Sequence, residues 1–250
     1  MMRTDVVVSI VVAIALSANS AVAADVQVLS AAAVKGPLVE TAKVFELETK
    51  SRVSFDFATA GKVDSRVAAG ERPDVVVNTR ARIDASMAKS GILGTVLDLG
   101  TVRIGIAVRA GAPKPDISTV EAFRAALVAA QSVAYTDPAA GGTAGSHFAA
   151  LIDKLGIADV LASKRRLATD GLDVMRKIQR GDVDLGVTQV SEILLVDRTT
   201  YVGPLPEALQ LKTIYSAFVP QSAGPAARAF AAALASDKGR ARFDAAGFEN

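Results

Sequence analysis

The feature that most restricts the fold of this chain is a repeated alternation of short valine-rich runs with segments whose apolar residues recur at helical spacing. Residues 26–29 read as a strand, and residues 37–49 as a helix with Leu38, Ala42, Phe45 and Leu47 along its apolar side. A strand over 53–57, a helix over 63–69, a buried strand over 75–77 behind Pro73 and a helix over 83–89 continue the pattern. Continuous apolar runs of this kind suit parallel strands covered on both faces by crossover helices, so the first series predicts a parallel α/β lobe. A second series follows: strand 102–108, the loop GAPKPD, helix 120–130, strand 133–135, helix 146–155 stopped by Gly156, helix 172–179 and strand 185–188. A strand over 214–219 and alanine-rich helices end the chain. Two series predict two lobes.

The first residues, MMRTD, precede an apolar stretch over 6–16 and the small-residue ending AVA at 21–23. That stretch is shorter than the roughly 20 apolar residues a bilayer span requires. It predicts a cleaved signal peptide over 1–23 and a periplasmic product, with no membrane span. Charge gives no opposing signal, because 28 Lys and Arg stand against 26 Asp and Glu for a net +2, without a basic run suited to nucleic acid. The chain has no cysteine, which removes disulfides, thiolate catalysis and cysteine-ligated metals, and it has one histidine, His147. No metal or cofactor motif is present, so the expected partner is a small ligand bound by a monomer.

The order of segments, together with VQVLSAAAVKGPL, SFDFATAGKV followed by RPDVVV, TDPAAGGTAGSHFAALIDKLGI, GDVDLGVTQVSEI and KGRARFDAAGF, resembles the type II periplasmic solute-binding proteins of the molybdate-binding-like branch. The resemblance implies two lobes, one from 24–104 plus 217–250 and the other from 105–216. They would be joined by strands near 103–108 and 214–219 and would close on a ligand held between them. It also implies a transporter permease as membrane partner.

Carried across residue by residue, the family's contacts show a departure. The first-loop serine matches Ala33, the second-loop serine matches Ala60, and a later tyrosine matches Gln189. A tetrahedral oxyanion would lose several hydrogen bonds of about 1 kcal/mol each, which points away from molybdate. Ser30 and Thr59 lie close by and would supply hydroxyls if the loops are shifted. Lys35 and Lys62 stand just before or within first helical turns, where an ammonium adds charge to an anion site and suits a carboxylate. In GGTAGS, Thr143, Gly145 and Ser146 combine close backbone approach with hydroxyls ahead of a helix, a pattern that also serves simple capping.

Two functions are compatible with these residues. One is a binding protein that captures a small anion, an organic carboxylate rather than molybdate, for an uptake transporter, with a sensor subunit as a variant. The other follows from the same branch's resemblance to aconitate isomerase, an enzyme that moves a double bond by proton transfer. There His147 would be the acid or base.

Overall fold

A computed structural model of the protein describes residues 25–249, so the signal segment read over 1–23 lies outside the described residues. The first part of the chain runs β1 (Asp25–Ala31), α1 (Lys35–Thr49), β2 (Arg52–Ala58), α2 (Ala60–Ala68), β3 (Val75–Thr79), α3 (Arg80–Ser90) and β4 (Gly94–Val102). The middle part runs β5 (Ile104–Val108), α4 (Val120–Ala129), β6 (Val133–Thr136), α5 (Thr143–Lys154), α6 (Ala158–Ala162) and β7 (Arg165–Ala168). It continues through α7 (Gly171–Arg180), β8 (Leu185–Gln189), α8 (Val190–Val196) and β9 (Tyr201–Pro204). The chain then adds β10 (Thr213–Pro220), α9 (Pro225–Ala235), α10 (Asp237–Ala245) and the short β11 (Phe248–Glu249).

These strands form two sheets, ordered β11-β4-β10-β3-β1-β2 and β7-β6-β8-β5-β9. In the first sheet β1 pairs in parallel with β2 and β3, while β10 runs antiparallel between β3 and β4. In the second, β6 is parallel to β7 and β8, and β5 is antiparallel to β8 and β9. Every residue of β3 and β5 is buried: β5 is apolar throughout, and β3 opens on three valines and ends in the buried polar pair Asn78 and Thr79. The edge strand β2 alternates instead, with Val53, Phe55 and Phe57 facing the core and Arg52, Ser54 and Asp56 facing outward.

The strand expected over 102–108 is two strands. β4 ends at Val102 in one sheet and β5 begins at Ile104 in the other, so the chain crosses between lobes at Arg103. β4 was missed because its exposed and half-exposed residues dilute the apolar signal, and its register with β10 slips between Tyr215 and Ser216 near Gly100. The return is also earlier than residue 217, because β10 enters the first sheet at Thr213.

Helix α7 shows how local sequence anchors a wall of the cleft. Asp170 caps it by accepting the Asp173 N–H at 2.7 Å, and Gly181 ends it in the left-handed region at φ 75°. Val174, Met175 and Ile178 are fully buried against Ala107, Ala134 and Ile193, while Arg176 and Arg180 face outward. Each buried side chain contributes about 1.5–3 kcal/mol of hydrophobic stabilisation. The result is a firmly seated helix whose first residue lies at the cleft.

Candidate functional site

The C-terminal ends of β1, β2, β6 and β8 meet between the sheets, the place where open α/β folds bind ligands. They enclose a cavity of about 30 Å³. The first lobe supplies residues 31–33 and 58–60, the second supplies Thr136, residues 142–144, Asp170, Gly171, Thr188, Gln189 and Glu192, and the return strand β10 supplies Tyr215. Helices α2, α5 and α7 begin at this cavity, so their first-turn N–H groups and positive dipole ends are directed toward it.

The lobes touch directly beside the cavity. Gly61 donates its N–H to the Gly141 carbonyl at 2.9 Å, and Thr59 Oγ1 donates to the Ala140 carbonyl at 2.5 Å. A Cβ on either Gly61 or Gly141 would stand 2.9 Å from the other's Cα, so glycine is what permits this backbone contact. Deeper in, Ser191 Oγ donates to the Ala33 carbonyl at 2.7 Å.

Ala33, Ala60, Thr143 and Gln189 all line the cavity, as does Thr59. Thr59 is already committed, since its hydroxyl donates across the lobes and accepts the Lys62 N–H at 3.4 Å. Ser30 is fully buried outside the lining and donates to the Ala31 carbonyl at 3.0 Å. Gly145 serves packing, because a Cβ there would lie 2.1 Å from the Thr136 carbonyl oxygen. Neither lysine lines the cavity. Lys35 holds its ammonium 5.3 Å from the Phe57 ring centroid, and Lys62 is exposed.

Ser146 and His147 line an adjoining, wider recess of about 870 Å³ together with Arg80, Arg82 and Lys212, and Thr143 belongs to both spaces. His147 Nε2 lies 2.8 Å from the Leu209 carbonyl oxygen, so that nitrogen is occupied by a backbone contact. Arg82 pairs with Asp64 at 2.9 Å, and Arg80 with Asp84 and Asp98.

The groups that sequence reasoning missed are Asp170, Thr188, Glu192 and Tyr215. Glu192 is 5 % exposed and accepts the Thr188 hydroxyl at 2.5 Å. Burial pushes its carboxyl up to about 7, and the charge of Asp170 pushes the same way, against the Thr188 hydroxyl and the Gln189 backbone N–H. Gly171 makes room for it, since a Cβ there would sit 1.9 Å from Glu192 Oε2. The Tyr215 phenol is raised by burial and by Glu192, with Thr143 and Gln189 opposing. The only sequence signal for Glu192 was a single acid in the apolar stretch LGVTQVSEILLV.

The Gln189 side chain is 2 % exposed, and neither Nε2 nor Oε1 has a hydrogen-bond partner. The Tyr215 hydroxyl is close enough to feel the amide, yet no bond of normal length and angle closes between them. An unpaired buried donor or acceptor costs about 1–3 kcal/mol, and this amide carries both at the cavity wall. The lining as a whole carries two carboxyl groups and no lysine or arginine. Among the described residues, no group of three His, Cys, Asp or Glu side chains is placed to hold a metal ion. Nor is any helix there long and apolar enough to cross a membrane.

The chain is 35% identical over 217 residues to an aconitate isomerase from Pseudomonas sp., covering 84% of this chain and 81% of that protein. It is 27% identical over 230 residues to the molybdate-binding protein ModA of Mycobacterium tuberculosis, covering 90% and 85%. Its fold matches the periplasmic molybdate-binding protein of Azotobacter vinelandii with a TM-score of 0.72 at 18% identity, over 90% of this chain and 99% of that one. The family model for bacterial extracellular solute-binding proteins matches residues 26–249. The two-lobed α/β architecture and this match together establish that the chain belongs to the bacterial extracellular solute-binding protein family.

Proposed function

We propose that this protein is an isomerase of the aconitate type, which moves a carbon–carbon double bond within a small unsaturated polycarboxylate by proton transfer. The observation that carries this reading is the buried Glu192 carboxyl in the interlobe cavity, whose proton affinity is tuned to about 7. A general acid–base works best when its pKa lies near the working pH, which a buried carboxyl of this kind meets. The aconitate isomerase relative supports the same chemistry.

In this reading Glu192 acts as a carboxylate and takes a proton from the methylene carbon of the substrate. The electron pair of the broken C–H bond becomes the new double bond, and the old double bond's electrons move to the former vinylic carbon. Glu192, now a carboxylic acid, returns the proton there. No atom is gained or lost, so one carboxyl group suffices. The starts of α2 and α5 direct partial positive charge at the carboxyl group on which negative charge develops. The wider recess beyond Thr143, with Arg82, Lys212 and His147 on its walls, leaves room for the substrate's further carboxylates.

The departures at Ala33 and Ala60 remove oxyanion hydroxyls from the same cavity and support an organic carboxylate over molybdate. Export through the signal segment and cleavage after Ala23 would place the reaction in the periplasm. The family and the ModA relative favour a second reading, a carrier that delivers such an anion to a transporter permease. The two separate on turnover. With trans-aconitate, the isomerase changes the absorbance of the conjugated acid and incorporates solvent deuterium visible by NMR, whereas tight binding without either result supports the carrier.

A further inference from the structure

The geometry points to Gln189 as the residue that sets ligand protonation: it holds one substrate carboxyl group as the neutral acid, through paired amide–acid hydrogen bonds. This rests on the polycarboxylate reading above.

The argument begins with the orphaned amide. Gln189 presents one acceptor and two donors on a residue that is 2 % exposed, at a cavity wall, with only the Tyr215 hydroxyl close by and no hydrogen bond of normal geometry closed to either amide atom. A carboxylate satisfies only Nε2, because it has no proton to give Oε1. A carboxylic acid offers a carbonyl acceptor and a hydroxyl donor side by side, which pairs with a primary amide at both positions. The two carboxyl groups of the lining favour the same form, against the partial positive charge of the helix starts. Asp170 and Glu192 line it without any lysine or arginine, so an added full negative charge meets repulsion and desolvation together.

The chemistry also gains from a neutral acid. Drawing a proton from carbon beside a carboxylate places a second negative charge on one conjugated group. With that group held as the acid, only one charge develops, and Glu192 has a more acidic C–H to attack. Gln189 then acts by direct contact with the substrate, while Glu192 does the proton transfer.

The test uses tricarballylate, the saturated tricarboxylate that cannot isomerise, with the full-length protein. Calorimetry at pH 8 in two buffers of different ionisation enthalpy counts protons taken up on binding. Glu192→Gln removes the protein's own carboxyl from that count. The expected result is uptake of about one proton by Glu192→Gln, with affinity falling about tenfold for each pH unit above neutrality. Adding Gln189→Leu, or the near-isosteric Gln189→Met if the first variant folds poorly by circular dichroism, should abolish the uptake. Binding to Glu192→Gln without proton uptake overturns the inference, because the ligand is then held as a carboxylate with Tyr215 left to serve Oε1. Uptake that persists when Gln189 is replaced overturns it as well. Uptake as expected in a protein that does not turn over trans-aconitate leaves this inference standing and removes the isomerase. Absence of any binding removes both.

Discussion

The two lobes contribute to the cavity in opposite ways. The first lobe offers mostly methyl groups and backbone, through residues 31–33 and 58–60, with two hydroxyls: Thr59, spent on Ala140, and the Tyr215 phenol brought in by β10. The second offers Thr136, Thr143, Asp170, Thr188, Gln189 and Glu192, and so nearly all of the side-chain chemistry. A site meant to grip a small oxyanion gains by drawing donors from both walls. A site meant to move a proton needs its reactive groups on one wall and a close-fitting cover on the other, since water exclusion strengthens every polar interaction inside. The difference between the lobes therefore supports the proposed proton transfer over carriage.

The largest effect should come from breaking the reactive wall. Glu192→Gln keeps the shape and the Thr188 neighbour but cannot take a proton, so kcat for trans-aconitate should fall about 10²- to 10⁴-fold with KM little changed. Steady-state kinetics beside His147→Ala distinguishes the two candidates. A loss confined to His147→Ala would return the proton transfer to the wider recess.

Next comes a pH effect on stability. The Glu192 carboxyl titrates near 7 when folded and near 4.5 in its ordinary state, so between those values the folded protein holds a proton that the unfolded chain has released. Stability from this group is complete below pH 4.5 and is lost as pH rises through 7, with a full amplitude of about 3 kcal/mol. Denaturant titration across that window should show a decline that Glu192→Gln flattens. A wild-type profile as flat as that of Glu192→Gln would place the carboxyl in a more solvated setting.

The smallest effect tests the covering wall. Ala33→Ser with Ala60→Ser should improve molybdate and tungstate binding by about 1 kcal/mol for each hydroxyl that finds an oxygen, roughly five- to tenfold apiece. Calorimetry on both proteins measures it. Tight molybdate binding by the unaltered protein would mean that backbone N–H groups and the second lobe suffice for an oxyanion, and the contrast between the walls would lose its functional meaning.

Much of the fold was legible because strand and helix periods are local properties. The valine run that opens β3, the apolar β5, the α7 face of Val174, Met175 and Ile178, and the stop at Gly156 each announce themselves within a dozen residues. β4 did not, because a strand half open to solvent carries a diluted pattern and its pairing with β10 spans more than a hundred residues of chain. The loops that build the cavity were also legible, and Ala33, Ala60, Thr143 and Gln189 were found by their resemblance to a family pattern. His147 and Glu192 mark the limit. Each is one titratable residue in a helical segment, and sequence alone favours the histidine, whose ordinary pKa is already near neutrality. Only the packed structure shows Glu192 stripped of water beside Gly171 and Asp170, while His147 Nε2 meets a backbone carbonyl in the wider recess. Periodicity records which side of an element is apolar, and so the sequence by itself determined the lobes and their layers. A proton affinity depends on solvent exclusion and on charges brought in from distant segments, and so only the tertiary structure decided that Glu192 is the carboxyl shifted toward neutrality.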